Sequence, residues 1–325
     1  MTLANADSLY IGDGGDDSVK RFDATTGAYQ GKFVAPGSGG LNGPRGLIYT
    51  QGQLFLANQN VDQNFAGEIL RYRRNTTGEG EFLNALVPCN PPLNRPPNGD
   101  CGDAPFAPRG VIRGPGRTLY VADHDGGRVA QYNLDSGAFV ADLDVTGFTG
   151  NFFPRGIVRG PDDLLYVSVT GLPVGDPLKG YVLRFNAQTG KFVDVFTSNL
   201  APGCAAHLHR PEGLVFGPNN KLYVTSFRAD ANDTDKVLVF NRNGSCVDKD
   251  QIDLDVVGQP RAFAQAILFG PRGHLFVPIN NTGEVRRYNV KTKAVDVFIP
   301  AGGHLLSPWY LTFGETDPRT LEYDD

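Results

Sequence analysis

Hydrophobic and polar residues alternate in short runs along nearly the whole chain, and the runs come in groups of four. The clearest group lies at 107–143, where GVIRG, TLYVAD, RVAQYN and FVADL are separated by GPGR, HDGG and LDSG. Short runs rich in β-branched and aromatic residues predict β-strands, and the glycines and aspartates between them predict tight turns. We therefore expect four successive antiparallel strands in this stretch.

The four-strand pattern recurs along the chain with a period of about 40 to 55 residues, which is typical of a β-propeller. We place five whole blades, numbered one to five, at 43–87, 107–145, 153–198, 210–254 and 263–300. Each blade is expected to be one four-stranded sheet.

The two ends of the chain supply a sixth blade. SLYIGD, SVKRFD and AYQGKFV, within 7–35, match the second, third and fourth strands of a repeat, and WYLTFGE, within 307–325, matches a first strand. Pairing the two ends closes the ring and leaves no exposed sheet edge there. The sequence predicts an all-β fold, a single six-bladed β-propeller over residues 1–325.

Composition agrees with one large all-β domain and narrows the partners. The 325 residues are 40% hydrophobic, with 41 Gly and 23 Pro placed between the strands. A net charge of −5 disfavours nucleic acid. No apolar run approaches the roughly 18 residues of a membrane helix, so we expect no membrane partner. The lack of helical periodicity argues against a nucleotide cofactor domain. We expect a monomer.

The four cysteines suggest a secreted protein. Each pair is local in sequence, so two disulfides are predicted, Cys89–Cys101 and Cys204–Cys246. The second pair is the weaker prediction, because its two turns can fall at opposite ends of the blade. Asn-x-Ser/Thr triplets at 75, 232, 243 and 280 are compatible with secretion. The N-terminus has neither a basic start nor an apolar core, so we expect no signal peptide within this sequence.

The repeat also carries a family resemblance. Its wording, Pro-x-Gly-hydrophobic followed by Gly-Pro-x-x-x-Leu-Tyr-Val, resembles NHL-repeat propellers and the gluconolactonase-like, senescence-marker-type six-bladed hydrolases. The resemblance covers almost the whole chain. It implies the fold, and an activity among lactonases, lyases, isomerases and non-catalytic binding modules.

One face of the propeller carries the longer loops. In a propeller, the connections between blades and those between the second and third strands lie on one face, here called the top face. The sequence places its long loops there, at 58–67, 88–107, 170–180 and 227–235. The opposite face has short turns such as GPGR and GPDD. We therefore expect function at the top face. Acidic loops at 13–17 and 230–235 offer calcium ligands, but solvated turns are the favoured interpretation.

Aligning the blades puts one residue from each at the entrance of the central channel. These are Arg45, Arg109, Arg155, Glu212, Gln265 and Trp309. In the gluconolactonase-like enzymes this position carries the acids and amide that hold a catalytic divalent cation, and here only Glu212 matches. Arginine forks suit carboxylate, phosphate or sulfate, so we predict that Arg45, Arg109, Arg155, Gln265 and Trp309 bind substrate. The alternative is an arginine–acid lattice that plugs the channel, with Asp123 among its acids.

Four of the five histidines map to the top face. His124 follows the second strand of blade two, His207 and His209 lie in the connection entering blade four, and His304 lies in the connection entering blade six. Because these blades alternate around the ring, we predict that His124, His209 and His304 converge and hold a divalent metal, zinc or calcium. His124, His207, His209, Glu212 and His304 are the catalytic candidates. Metal-free acid–base catalysis and scattered loop histidines remain the alternatives.

Together these features favour an extracellular enzyme acting on a small or carbohydrate-like anion at the top of the channel. Lactone or ester hydrolysis is implied by the resemblance. β-Elimination competes, because an arginine that neutralises a carboxylate acidifies the adjacent C–H bond. The alternative is a non-catalytic NHL-type propeller that binds a small molecule, a saccharide or a protein.

Overall fold

The computed structural model describes residues 7–61, 63, 66–89, 102–171, 179–217 and 220–324. Over these residues the chain forms six four-stranded antiparallel sheets, whose inner strands pack side by side in a closed ring. The remaining regular structure is a few short 3-10 turns. The predicted six-bladed β-propeller is confirmed.

The strands follow the predicted repeats. Blade one contains β4 (Pro44–Thr50), β5 (Gln53–Asn58), β6 (Glu68–Arg74) and β7 (Gly80–Val87); blade two contains β8 (Pro108–Gly114), β9 (Thr118–Asp123), β10 (Arg128–Asn133) and β11 (Phe139–Asp142); blade three contains β12 (Phe153–Arg159), β13 (Leu164–Thr170), β14 (Gly180–Asn186) and β15 (Phe192–Ser198).

Blade four contains β16 (Pro211–Phe216), β17 (Leu222–Ser226), β18 (Lys236–Phe240) and β19 (Ile252–Asp253); blade five contains β20 (Leu268–Gly270), β21 (His274–Ile279), β22 (Glu284–Tyr288) and β23 (Val295–Ile299); blade six contains β24 (Pro308–Phe313), β1 (Ser8–Asp13), β2 (Ser18–Asp23) and β3 (Tyr29–Val34). The predicted loops at 58–67, 88–107 and 170–180 lie partly or largely outside the described residues.

Blade six closes the ring with both ends of the chain. Strand β24 pairs with β1 in antiparallel register, with Leu311 opposite Ile11 and Tyr310 opposite Gly12. The C-terminal first strand and the N-terminal second strand thus share one sheet, as the repeat pattern predicts.

Aromatic contacts between neighbouring blades recur around the ring. Tyr166 packs edge-on against Phe216 at 4.9 Å between ring centroids, and Tyr223 packs against Phe269 at 5.1 Å. Each contact joins the second strand of one blade to the first strand of the next. Such pairs are worth roughly 0.5–1.5 kcal/mol beyond their buried area, so they hold the blades in register.

The Pro-x-Gly phrase of the repeat is explained by the crowding of the inner strands. A Cβ at Gly110 would lie 2.8 Å from the carbonyl oxygen of Arg155, and one at Gly213 would lie 2.7 Å from the Cα of Ala266. Any side chain here would push the neighbouring backbone away. Glycine therefore lets adjacent inner strands approach closely.

The C-terminal segment crosses the channel at the face opposite the loops. The carbonyl oxygen of Pro318 accepts a hydrogen bond from the backbone N–H of Arg113, at 2.7 Å. Leu321 packs against the hydrophobic clusters of all the blades and lines a cavity of about 40 Å³ in the channel. This lower end of the channel is therefore covered by the chain itself.

Cys204 and Cys246 form a disulfide with a Cα–Cα distance of 5.6 Å, so this predicted pair is confirmed. It ties the segment entering blade four to the turn after β18. Cys101 lies outside the described residues, so the Cys89–Cys101 bond stays a prediction. In the described part of the chain, no helix is long and apolar enough to span a membrane.

Candidate functional site at the upper mouth of the channel

The start of each inner strand is irregular in a way that turns side chains toward the channel. The ladder between β4 and β5 shifts register between Pro44 and Leu47, and the same shift occurs between Pro108 and Val111 in blade two. Blades three and four repeat it. Bulges of this kind re-aim a side chain next to functional sites. The residue after each proline is Arg45, Arg109, Arg155 or Glu212.

These residues meet at the opening of the channel on the top face, here called the upper mouth. Gln265 is at its centre, because its Oε1 accepts hydrogen bonds from Arg45 Nη1 and, at 3.3 Å, from Arg109 Nη1. The guanidinium of Arg45 lies 3.7 Å from the ring centroid of Trp309, and its Nε donates to Gln59. Arg45 is thus held flat by stacking and by two amide oxygens.

Glu212 pairs with Arg155, and both side chains are buried. The upper mouth therefore holds three guanidinium groups and one carboxylate, which leaves an excess of positive charge. Asp123 does not relieve it, because its carboxylate is used elsewhere. Its oxygens accept the backbone N–H groups of Phe106 at 2.9 Å and Ala107 at 2.7 Å.

The crowded positive charges disfavour each other. Burial lowers the pKa of Arg45 well below its ordinary value, and the neighbouring charge of Arg109 lowers it further. Burial also lowers the pKa of Arg109. For Arg155, burial and then repulsion by Arg109 lower the pKa to about 9. A bound anion would offset both effects, because it replaces lost solvation and screens the repulsion.

Several buried polar atoms at the upper mouth have no hydrogen-bond partner among the described residues. They are Arg109 Nε, Arg155 Nε, the second oxygen of Glu212 and the hydroxyl of Tyr310. Tyr310 projects into the channel from the position that holds glycine in blades one to four. Buried donors without partners are rare in proteins, and a bound water or ion is one explanation for them. Two guanidinium N–H groups and a hydroxyl are the donors an anion needs.

His124 lies beside the upper mouth, between blades two and three. Its Nδ1 is 2.5 Å from Asp125 Oδ1, its Nε2 is 3.5 Å from Thr170 Oγ1, and its ring packs on Phe153 at 5.6 Å. Burial lowers the pKa of His124 to about 4, against the opposing effect of Asp125, and the charges of Arg155 and Arg109 lower it further. The imidazole is therefore neutral at pH 7 and able to accept a proton.

The other predicted histidines lie elsewhere. His304 is exposed and stacks on Tyr29 of β3, the outermost strand of blade six, at 3.9 Å between ring centroids. His207 and His209 lie near Asp233, with ligand atoms of the three residues within 4.8 Å of one another. Among the described residues, the structure forms this group and does not group His124 with His209 or His304. The converging triad stays a prediction without geometric support.

Sequence reasoning missed Tyr310 and Gln59, and it considered the acidic loop that contains Asp233 for calcium but not together with His207 and His209. The signal for Tyr310 is present, since the sixth repeat reads Pro-Trp-Tyr where four others read Pro-x-Gly. Gln59 and Asp233 lie in loops between second and third strands, where the repeat has no period. No sequence signal marks their contacts.

No protein-family model and no curated protein matches this sequence. Solved structures resemble it in fold. A chain of a nidogen–laminin complex has a TM-score of 0.65 at 14% identity, covering 95% of this chain and 98% of that one.

Two enzymes are among the other similar structures. A candidate 6-phosphogluconolactonase from Bacteroides fragilis has a TM-score of 0.59 at 14% identity, covering 96% of this chain and 99% of that one. Virginiamycin B lyase from Staphylococcus aureus has a TM-score of 0.54 at 15% identity, covering 91% and 82%. At this identity the likeness is one of fold, and it spans proteins described as a lactonase, a lyase and a binding complex.

Proposed function

We propose that this protein is an extracellular propeller enzyme that binds a small or carbohydrate-like anion at the upper mouth and cleaves it by hydrolysis or elimination. One observation carries the proposal: Arg45 and Arg155, which are buried, and Arg109, which is half-buried, meet at the upper mouth with Glu212 as their buried carboxylate. Buried charge that the protein leaves unbalanced calls for a ligand of opposite charge.

In this proposal the three arginines contribute to anion binding in different ways. Arg45 is fixed by Trp309 and Gln265 and presents a rigid fork. Arg109 and Arg155 contribute their unpartnered Nε–H groups, and Tyr310 adds a hydroxyl from below. Guanidinium forks of this kind suit a carboxylate or a phosphate. Glu212 positions Arg155 through their ion pair, which makes it a positioning residue rather than a base.

His124 is the base in this proposal. For a lactone or ester, its Nε2 takes a proton from water while the water oxygen bonds to the acyl carbon. The carbonyl electrons move onto oxygen, where an arginine stabilises the charge. The C–O bond to the alcohol then breaks, and the alkoxide takes the proton from His124. Asp125 holds the Nδ1–H, which leaves Nε2 as the nitrogen that can accept a proton.

Elimination uses the same groups. An arginine bound to a carboxylate stabilises charge at the adjacent carbon, and His124 removes the proton from that carbon. The electron pair forms a C=C bond, the C–O bond at the next carbon breaks, and the leaving alkoxide takes the proton from His124 to become the alcohol. The similar folds of a lyase and a candidate lactonase support both reactions equally. The Cys204–Cys246 disulfide supports an extracellular location.

A non-catalytic ligand-binding propeller is the second candidate. His124 lies beside the arginines of the upper mouth, whereas His304 stacks on Tyr29 and His207 and His209 group with Asp233. A single imidazole can contact a bound ligand without any reaction, and it can equally act as a base.

A substrate screen separates these candidates. Aldonolactones, carboxylate esters and uronate oligosaccharides are incubated with the wild type, His124→Gln and Arg109→Gln. The enzyme proposal expects turnover that falls at least about a hundredfold in His124→Gln, the usual contribution of general acid–base catalysis. Saturable binding of these anions without turnover would favour the second candidate. Turnover that is equal in all three proteins would contradict the proposed site.

A further inference from the structure

A second cluster of chemically active side chains lies on blade four, outside the upper mouth. It comprises His207 and His209 from the segment entering the blade, and Asp233 from the loop between β17 and β18. One imidazole or carboxylate atom from each lies within 4.8 Å of the others. Two elements of the blade therefore bring nitrogen and oxygen ligands to one point at the surface.

The backbone holds the two histidines in place. Leu208 between them is fully buried, so the flanking side chains emerge on the opposite, solvent side. The Ser226 hydroxyl donates to the His207 carbonyl at 2.6 Å and accepts the His209 N–H at 2.8 Å. The Cys204–Cys246 disulfide anchors the same segment. Positioning of this kind reduces the ordering that a ligand would otherwise have to impose.

The carboxylate is suited to a cation as well. Asp233 is partly buried and accepts hydrogen bonds from Lys236, which is its ion-pair partner, and from the backbone N–H groups of Ala229 and Thr234. One oxygen takes Lys236 and the Thr234 amide, and the other takes the Ala229 amide. Since each carboxylate oxygen accepts about two bonds, the second oxygen keeps one acceptor position.

We propose that His207, His209 and Asp233 form a binding site for a divalent transition metal on the top face of blade four. Two imidazoles and one carboxylate are a ligand set that zinc accepts, with the remaining position left to water. Ligands about 2.0–2.1 Å from one ion lie closer together than 4.8 Å. Binding therefore draws the three side chains inward by small rotations.

The proposed metal links the segment entering blade four to its β17–β18 loop. That segment continues through Arg210 to Glu212, which pairs with Arg155 at the upper mouth. The site is independent of the proposed anion chemistry, because none of its ligands contributes to the upper mouth.

Zinc titration of tag-free protein after chelator treatment tests the proposal. Calorimetry should find one saturable zinc site per chain in the wild type. His207→Ala and His209→Gln should weaken zinc affinity by more than about tenfold. Even substitutions of residues that hydrogen-bond to metal ligands have an effect of this size. His274→Ala is the matched control, because His274 lies at the opposite face, and it should bind zinc as the wild type does.

A thermal measurement guards against loss of fold. Without zinc, His207→Ala should melt with the wild type because its side chain is exposed. With zinc, the wild type and His274→Ala should gain thermal stability, and His207→Ala should not. The proposal would be overturned if the wild type shows no saturable zinc binding, or if His207→Ala and His209→Gln both bind zinc with the affinity of the wild type.

Discussion

Two sets of buried charged side chains in this propeller differ in how completely they are hydrogen-bonded. Asp13 and Asp123, at the ends of second strands, have carboxylates enclosed by backbone N–H groups. Asp13 accepts those of Leu306 and Ser307, both at 2.8 Å, and the ammonium of Lys20 at 2.5 Å. Asp123 accepts those of Phe106 and Ala107 and lies 3.3 Å from Arg128 Nε. These acids fasten the chain that enters their blade to its second strand.

The arginines of the upper mouth are less completely bonded. Arg45 and Arg155 are buried and Arg109 is half-buried, and their partners are Gln59, Gln265 and Glu212. Arg109 and Arg155 each leave a buried Nε–H unbonded within the described part of the chain. The three guanidinium groups also repel one another. Burial alone therefore does not separate structural from functional charge. The completeness of the surrounding hydrogen bonds differs between the two sets: the acids are satisfied within the fold, and the arginines keep donors for the ligand that we propose.

The largest expected effect is the loss of folding stability when one of the two structural acids is removed. Asp123→Ala leaves the N–H groups of Phe106 and Ala107 without their acceptor in a buried site and removes the carboxylate beside Arg128. We expect a loss of about 3–5 kcal/mol in the free energy of unfolding, as when a buried ion pair is broken. Urea unfolding followed by circular dichroism measures it. A loss below about 1 kcal/mol would show that the acid is not structural.

His124 should make stability depend on pH. Its pKa of about 4 in the folded protein lies below the ordinary 6.5. Between these values the unfolded chain binds a proton that the folded protein does not, so stability falls as pH drops from 6.5 to 4. The full effect is about 3 kcal/mol.

The matched control is His124→Gln, which removes the titrating group. Unfolding of both proteins in urea at several pH values between 4 and 7 gives the comparison. The difference in stability between wild type and variant should shift in favour of the variant as the pH falls. A difference that is constant across this range would contradict the lowered pKa.

Arg109→Gln probes the functional side. It removes one of three repelling charges, and the Arg109 side chain makes one weak bond to Gln265. We expect the ligand-free stability to stay within about 1 kcal/mol of the wild type or to rise. Anion affinity should fall roughly 10- to 150-fold, the value of a charge-assisted hydrogen bond of about 1.5–3 kcal/mol. A large loss of stability would place Arg109 with the structural charges instead.

The smallest effect is expected at the lower end of the channel. Leu321→Ala removes an apolar contact from a half-buried position, so a loss of about 1–2 kcal/mol is expected. Anion affinity should not change, because Leu321 packs below the inner strands, away from the arginines. Unfolding and titration of the same preparation measure both. A change in affinity would mean that the two ends of the channel are coupled.

The sequence predicts the fold and the residues of the upper mouth because both follow the repeat. Arg45, Arg109, Arg155 and Glu212 each follow the proline that starts an inner strand, so periodicity alone aligns them. Even the closing blade follows from matching the ends of the chain to one repeat. Local strand pattern and ring closure therefore need no tertiary information.

The contacts made by the loops cannot be predicted in this way, because the loops do not follow the repeat. The alternation of blades two, four and six around the ring predicts that His304 lies near His124. In the structure, the loop entering blade six turns outward and stacks His304 on Tyr29. The lone carboxylate of Asp233 reaches His207 and His209 through a loop of its own. Contacts of this kind depend on loop geometry, which the alternation of residues does not encode.

The central claim is that the upper mouth is an anion site, and calorimetric titration with phosphate, sulfate and glucuronate tests it most directly. Measurements are made at low, constant ionic strength on the wild type and on Arg109→Gln. We predict saturable one-site binding of at least one of these anions, weakened roughly 10- to 150-fold in Arg109→Gln. No saturable binding of any of them, or equal affinity in both proteins, would contradict it.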